Sequence, residues 1–320
     1  MKIKNIIIPL GDPKSVFIEL LIKYFKSKNY KSLKKKIILI GSNKIINNQK
    51  KKFNLHLNIN CIKDINDNKL KRINIIDINF ENLKHKYNHK IATKKYIERC
   101  LNLSLSIIKN NSNSVLFNGP ISKKEFLEKK FLGITEYLAK KTKSKDFAML
   151  IYNSKLSVCP ITTHLPIKFV AKNINKKKII NKVSLINKFY KKKLNRSPKF
   201  AILGLNPHCE TILKYSEEDK IIKPAINLLK SKKIKIDGPI SADTFFIKKN
   251  IEKYDVVVGM YHDQVLTPLK TLYNFYAVNI TLGLPFIRVS PDHGPNIQMF
   301  GKYKSDPSSI FCAMEFFNQI

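Results

Sequence analysis

The chain has 320 residues, enough for two domains or one large α/β unit, and its hydrophobic content of 43% can form a sizeable core. No apolar run approaches the length of a membrane-spanning helix, the apolar start at 5–10 is too short for a signal peptide, and five cysteines without a CxxC pattern favour a reduced, cytoplasmic protein. The formal charge of +37 comes largely from lysine blocks scattered without a common face, so we expect neither nucleic acid nor membrane as a partner.

Apolar runs alternate along the chain with segments of helical spacing. The runs predict strands at 5–10, 36–41, 113–117, 147–152, 156–161, 199–204 and 255–260. The helical segments are 14–27, 93–110, 174–190 and 217–231, whereas residues 43–92 give no clear pattern. Strands that alternate with helices are typical of βαβ units, so we expect an α/β fold with a mostly parallel sheet.

Three histidines follow strand-like runs: His164, His208 and His262 each lie at or just past the C-terminal end of one. Ligands of open α/β sheets gather at such ends. Three neutral imidazoles meeting there would bind one divalent metal and leave a position for substrate; zinc, cobalt, nickel or iron would suit them, and magnesium less well. The alternative is three unrelated histidines, and the residues alone leave both interpretations open.

Several short motifs occur in an order that is typical of one protein family. They are Gly-Leu-Asn-Pro-His at 204–208, Met-Tyr-His-Asp-Gln at 260–264 and Thr-Leu-Gly-Leu-Pro-Phe-Ile-Arg at 281–288, with further matches at 11–13, 118–123, 133–136, 162–166, 238–244 and 292–294. Together they closely resemble the 4-hydroxythreonine-4-phosphate dehydrogenase family of pyridoxal phosphate biosynthesis. The resemblance covers essentially the whole chain.

The resemblance implies a fold of two α/β/α lobes around a cleft, like the isocitrate and isopropylmalate dehydrogenases, and a homodimer. We place the first lobe at 1–125 plus about 300–320, and the second lobe, with the metal and substrate residues, at 126–299. The implied reaction is the NAD- or NADP-dependent oxidation and decarboxylation of 4-phosphohydroxy-L-threonine to 3-amino-2-oxopropyl phosphate.

The resemblance also implies roles for individual residues. One divalent metal (zinc, cobalt, magnesium or similar) would be held by His164, His208 and His262, with His262 reaching in from the partner subunit. The substrate residues would be Ile134, Thr135, Lys270, Asn279 and Arg288. The residue that accepts the proton stays open among Lys123, Asp243 and Asp263, and no cofactor-binding residue is identifiable.

The chain departs from the family pattern where the family usually has glycine or histidine. Residues 14–19 and 209–215 replace glycine-rich turns, Ile134 stands where the family usually has histidine, and Pro-Asn at 295–296 replaces Thr-Ala. Glycine permits positive φ and close approach of the backbone to a ligand, so these changes affect binding loops. The predicted metal ligands and the pair Lys270 and Arg288 are retained.

Two alternatives remain open at the level of the sequence. A related metal- and NAD-dependent dehydrogenase could act on another phosphorylated acid, and Ile134 would mark that change of substrate. A degenerate, non-catalytic basic protein would instead bind nucleic acid in a salt-sensitive way and would not need the three histidines.

Overall fold

The computed structural model describes residues 3–67, 69–81, 86–121, 126–127, 131, 133–210, 215–291, 294 and 296–320, without the side chains of 86–88. The chain divides into two compact units, one of Met1–Leu138 with Pro285–Ile320 and one of Ala139–Leu284. These boundaries differ from the predicted ones near 125 and 300, and Thr135 and Arg288 consequently belong to the first unit. The reason is packing: the Tyr137 ring packs edge-on against Phe126, and the strand that starts at Arg288 pairs with a first-unit strand.

The first unit has a parallel sheet in the order β3-β4-β2-β1-β5-β12. Its strands are β1 (Asn5–Pro9), β2 (Lys36–Gly41), β3 (Asn60–Ile62), β4 (Ile73–Asp77), β5 (Ser114–Phe117) and β12 (Arg288–Pro291). Its helices are α1 (Phe17–Lys26), α2 (Lys28–Ser32), α3 (Asn43–Lys52), α4 (Lys86–Asn110), the start of α5 (Ile134–Lys141) and α12 (Ser308–Gln319), with a 3₁₀ turn at Ile297–Met299.

The C-terminal segment of the chain is fastened to the first unit by apolar and polar contacts. The Phe117 ring packs edge-on against Phe17 of α1 and Phe317 of α12, each at 5.6 Å between ring centroids. The carboxylate of Glu19, which is fully buried, accepts hydrogen bonds from the backbone N–H groups of Gly301 and Tyr303. A buried carboxylate is stable only with such donors, so this contact fixes where the returning chain lies.

The second unit has a mixed sheet in the order β11-β6-β7-β10-β8-β9. Its strands are β6 (Ala148–Tyr152), β7 (Ser157–Thr162), β8 (Phe200–Leu203), β9 (Ile236–Ile240), β10 (Val256–Tyr261) and β11 (Val278–Leu282). The pairs β11–β6 and β6–β7 are antiparallel, whereas β7–β10, β10–β8 and β8–β9 are parallel.

The helices of the second unit pack on this sheet. They are α6 (Val170–Asn173), α7 (Lys176–Lys193), α8 (Lys223–Ser231), α9 (Ala242–Phe245), α10 (Lys248–Ile251) and α11 (His262–Tyr273), with 3₁₀ turns at Ile167–Phe169 and Pro207–Cys209 and a π-helical turn at Glu218–Ile222. Val257 of β10 and Val265 and Leu269 of α11 are fully or almost fully buried in one apolar cluster, because α11 returns along the strand that precedes it.

The seven predicted strands and four predicted helices are confirmed to within a few residues, except that α4 begins seven residues earlier and the helix predicted at 217–231 starts as a π-helical turn. Five strands were not predicted: β3, β4, β9, β11 and β12. The sheet of the first unit is parallel as predicted, but β6 and β11 make the second sheet mixed. Among the described residues, no helix is long and apolar enough to cross a membrane.

We expect Glu19→Ala to lower the free energy of unfolding by on the order of 3 kcal/mol, because two partly buried backbone N–H groups lose a charged acceptor. Urea unfolding followed by circular dichroism measures the change, with Glu315→Ala on the exposed face of α12 as the matched control. A loss no larger than that of the control, about 0.5 kcal/mol or less, would contradict this role of Glu19.

Candidate functional site

Four neighbouring parallel strands of the second unit end at one edge of its sheet, and each is followed by a candidate side chain. In spatial order, β7 leads to His164, β10 to His262, β8 to His208 and β9 to Asp243. Parallel strands bring their carboxyl ends to the same edge, which is where ligands of α/β sheets bind. The register of the strands therefore places the three predicted metal ligands along one edge.

His164 and His262 face each other at this edge. Their ring centroids are 5.7 Å apart and the rings are tilted by 36°. Two imidazoles on one metal, each with a metal–nitrogen distance of about 2.0–2.1 Å, place their centroids on the order of 5 Å apart. The Asp263 carboxylate lies 2.6 Å from Nδ1 of His262. When Nδ1 carries the ring proton and donates it in a hydrogen bond to that carboxylate, Nε2 keeps its lone pair for a metal.

His208 has a carboxylate neighbour of its own. Its Nδ1 lies 3.8 Å from Oδ2 of Asp243, and Oδ1 of Asp243 accepts hydrogen bonds from the Ser241 hydroxyl at 2.5 Å and the Thr244 N–H at 2.8 Å. The hydrogen bond from Ser241 lowers the pKa of Asp243, so this carboxyl group is ionised at neutral pH. An ionised carboxylate beside Nδ1 again favours Nε2 as the metal-binding nitrogen.

The turn that carries His208 has an unusual backbone. His208 and Cys209 both have positive φ, 54° and 60°, and His164 has φ of 49°. Non-glycine residues in this region cost of order 1–3 kcal/mol each, and such residues concentrate at functional sites. The turn therefore needs contacts from its surroundings to keep this conformation.

Glu218 supplies those contacts from a fully buried position. Its Oε1 accepts from the backbone N–H groups of Leu205 and Asn206 at 2.7 and 2.9 Å, and its Oε2 accepts from Asn206 Nδ2 at 2.9 Å and the Ser216 hydroxyl at 2.8 Å. Burial alone would raise the pKa of Glu218, but the hydrogen bonds from Asn206 and Ser216 outweigh it and lower the pKa. A Cβ on Gly204 would lie 2.6 Å from Cys209 Sγ and 3.1 Å from Oε1 of Glu218, so only glycine allows this approach.

Gln264 connects the edge positions of β8 and β10. Its Oε1 accepts from the Met260 N–H at 2.6 Å, and its Nε2 donates to the Gly204 carbonyl at 2.8 Å. The Thr162 hydroxyl donates to the Met260 carbonyl at 2.8 Å and ties the end of β7 to the same strand. The strand ends that precede the three histidines are thus joined by side-chain hydrogen bonds as well as by the sheet.

Within one described chain the candidate ligands form two pairs. No group of three or more His, Cys, Asp or Glu side chains in the described ranges is close enough to hold a metal ion. The pairs are His164 with His262 and His208 with Asp243. His262 thus lies beside His164 of its own chain. The donor set itself, imidazoles with carboxylates at Nδ1, fits a divalent transition metal.

Two predicted substrate residues lie elsewhere in the second unit. Lys270 is on α11, two helical turns and about 12 Å along the axis from His262, with Nζ 5.6 Å from the centre of the Phe275 ring. Asn279 is on β11, and its Oδ1 is buried with no hydrogen-bond partner among the described residues. Buried polar atoms are almost always paired, so this oxygen is suited to accept a hydrogen bond from a ligand.

Two further predicted substrate residues, Thr135 and Arg288, meet in the first unit. Arg288 is 1% exposed; its Nε donates to Asn118 Oδ1 at 2.6 Å and a terminal nitrogen donates to the Thr135 hydroxyl at 3.3 Å. Burial lowers the pKa of Arg288 to about 10, while the nearby Glu136 carboxylate opposes the shift, so the guanidinium stays charged at neutral pH. Arg288 is therefore held by protein groups, and not extended from the surface.

Two predicted site residues, Ile134 and Lys123, remain, and two residues of the edge were not predicted. Ile134 is half-buried as the first residue of α5. Lys123 lies outside the described residues. Sequence reasoning missed Glu218 and Gln264, although a pair of adjacent glutamates is a noticeable signal in a chain with 60 basic and 23 acidic residues.

Comparisons with known proteins identify relatives along the whole chain. The model of the family described as pyridoxal phosphate biosynthetic protein PdxA matches residues 33–317. A 4-hydroxythreonine-4-phosphate dehydrogenase of Sulfurihydrogenibium sp. (strain YO3AOP1) is 40% identical over 315 residues, covering 96% of this chain and 95% of that protein. A D-threonate 4-phosphate dehydrogenase of Pectobacterium atrosepticum is 34% identical and covers 69% of each chain.

Solved structures agree with these relatives. The crystal structure of 4-hydroxythreonine-4-phosphate dehydrogenase from Klebsiella pneumoniae has a TM-score of 0.84 at 27% identity and covers 98% of both chains. Isocitrate dehydrogenase from Methylococcus capsulatus, with 11% identity and a TM-score of 0.51 over 98% of this chain and 84% of that one, shares the fold alone. The predicted fold class is confirmed, and the chain belongs to the PdxA family of pyridoxal phosphate biosynthetic proteins.

Proposed function

We propose that this protein is a metal-dependent dehydrogenase that oxidises and decarboxylates 4-phosphohydroxy-L-threonine with NAD or NADP, giving 3-amino-2-oxopropyl phosphate for pyridoxal phosphate biosynthesis. One observation carries the proposal: three imidazoles stand at the ends of neighbouring parallel strands, and two of them have a carboxylate near Nδ1. Relatives that bear the name of this activity match almost the full length of the chain.

The metal would be held by His164, His208 and His262, and the nicotinamide would take the hydride. A bound divalent metal acts as a Lewis acid that lowers the pKa of a substrate hydroxyl and stabilises the charge that develops when carbon dioxide leaves. In this proposal Asp263 and Asp243 orient His262 and His208. Lys123 then remains as the candidate that accepts the hydroxyl proton.

The substrate would be recognised through charge and hydrogen bonds. Lys270 and Arg288 are cationic donors for a phosphate or carboxylate, and Arg288 also fixes the hydroxyl of Thr135. Asn279 offers a buried amide oxygen that accepts from a substrate hydroxyl or ammonium group. Ile134 contributes only apolar contact, since it has no side-chain donor.

We further propose that the working protein is a cytoplasmic homodimer whose metal sites are shared between subunits. The support is that the described residues of one chain form two ligand pairs and no cluster of three. In this arrangement the partner subunit's His262 would join His164 and His208 at the metal.

A second candidate function keeps the chemistry and changes the substrate. One relative with 34% identity is named as a D-threonate 4-phosphate dehydrogenase, whose substrate name contains no amino group. Ile134 in place of histidine is the feature of this chain that favours such a change. In this case the substrate would be another phosphorylated hydroxy acid.

The direct test is formation of reduced nicotinamide, followed by its absorbance, with 4-phosphohydroxy-L-threonine or D-threonate 4-phosphate as substrate. We expect turnover of the former that a chelator abolishes and that added zinc or cobalt restores. Turnover of D-threonate 4-phosphate alone would establish the second candidate. Lack of turnover with either substrate in a folded, metal-loaded protein would refute both.

Mixed dimers test whether the metal site is shared. His164→Ala and His262→Ala variants should each be inactive, because each leaves two of three histidines at the metal. If the sites are shared, mixing the two variants with subunit exchange should restore about a quarter of the wild-type activity, since half of the dimers are mixed and each has one intact site. Mixtures that stay inactive after verified exchange would show that each site is built within one chain.

Ile134→His should raise kcat/KM for 4-phosphohydroxy-L-threonine by about tenfold, because it adds a hydrogen-bond donor that the family usually has at this position. Ile134→Leu serves as the control that keeps the position apolar. A fall in kcat/KM for this substrate, with the control unchanged, would contradict the proposal and favour the changed substrate.

A further inference from the structure

We infer that Glu218 is a positioning residue that sets the place of His208 and thereby the metal affinity of the site. The inference rests on the proposed function, because it assumes that His208 binds the metal. Glu218 does not reach the metal in this role. It acts through the turn 205–209, whose backbone it holds from the inside of the second unit.

The geometry of the Glu218 carboxylate is that of a clamp on this turn. Oε1 accepts hydrogen bonds from the first two backbone N–H groups of the turn, those of Leu205 and Asn206, and Oε2 accepts one from the Asn206 side-chain amide. The carboxylate is itself fixed: Ser216 donates its hydroxyl to Oε2 and accepts the N–H of Glu218 at 3.1 Å. With no exposed surface, Glu218 has no water with which to replace these partners.

The turn depends on this clamp because its own sequence does not favour its conformation. His208 and Cys209 have left-handed backbones without the help of glycine, and the 3₁₀ turn Pro207–Cys209 is only three residues long. Its His208 side chain is exposed, so packing does not hold the imidazole. Within the described residues, the backbone hydrogen bonds of the turn itself run from the Cys209 N–H to the Asn206 carbonyl and from the Glu210 N–H to the Pro207 carbonyl, each at 3.1 Å. Support from outside the turn includes the hydrogen bonds to Glu218 and the 3.8 Å approach of Asp243 to His208.

The neighbouring Glu217 provides a matched control. Its Oε2 accepts a hydrogen bond from the Asn206 amide at 3.0 Å, and among the described residues it accepts none from the backbone N–H groups of Leu205 and Asn206. Glu217→Gln removes the same charge from the adjacent position in the chain and leaves the clamp on the backbone intact. A general effect of lost negative charge would appear in both variants, whereas an effect on the turn would appear only at position 218.

The test is titration of the metal-free protein with cobalt(II), followed by its visible absorption, with circular dichroism to confirm folding. We expect Glu218→Ala to weaken cobalt binding by at least tenfold and to change the absorption spectrum toward that of His208→Ala, because supporting residues of metal ligands typically contribute 10–100-fold in affinity. Glu217→Gln should bind as the wild type does.

The outcomes separate this inference from the proposed function. If the wild type binds no cobalt, or His208→Ala binds as the wild type does, the metal site itself is refuted. If both behave as proposed but Glu218→Ala keeps the wild-type affinity and spectrum, the positioning role is overturned. Should Glu218→Ala not fold, Glu218→Gln is measured instead: it retains one acceptor oxygen, so an intermediate loss of affinity is expected, and wild-type binding would overturn the role.

Discussion

The parallel pairing of β7, β10, β8 and β9 is the constraint on which the rest of the site depends. The side chains of β7, β8 and β10 are almost all buried, whereas β9 buries only Ile236, and parallel pairing brings the carboxyl ends of all four strands to one edge whatever follows them. The chain places a histidine or aspartate within five residues of each end. The same apolar burial that stabilises the second unit thus also brings the candidate ligands near one another.

Apolar burial alone does not orient polar side chains, and a set of polar contacts does this work at the edge. Gln264 joins β10 to the end of β8, Glu218 holds the turn before His208, and carboxylates lie beside His262 and His208. Replacing Glu218 or Gln264 by an apolar side chain of the same size would leave backbone N–H donors of the edge without their acceptors. Two left-handed, non-glycine residues at 208 and 209 indicate that the surroundings, more than the local sequence, determine the turn.

Much of this could be predicted from the sequence because the central strands are continuous apolar runs, and a histidine follows each of three of them within five residues. The strands that were missed have weaker signals: β9 contains Asp-Gly-Pro, β11 alternates polar with apolar residues, and β12 is four residues long with Ser and Pro. The boundary of the second unit lies before Arg288 and not near residue 300 because Arg288 pairs with Leu116 of the first unit. This pairing joins residues 172 positions apart, and local sequence patterns carry no information about such contacts. The burial of Arg288 and the clamp by Glu218 are likewise long-range or loop features without a local period.

The most direct measurement is X-ray absorption at the zinc edge of the zinc-loaded protein, because it counts the imidazole nitrogens around the metal. Three imidazole nitrogens at about 2.0–2.1 Å are expected, falling to two in His208→Ala. A zinc ion surrounded only by oxygen ligands, with the same spectrum in the variant, would contradict the assignment of the strand-end histidines as metal ligands.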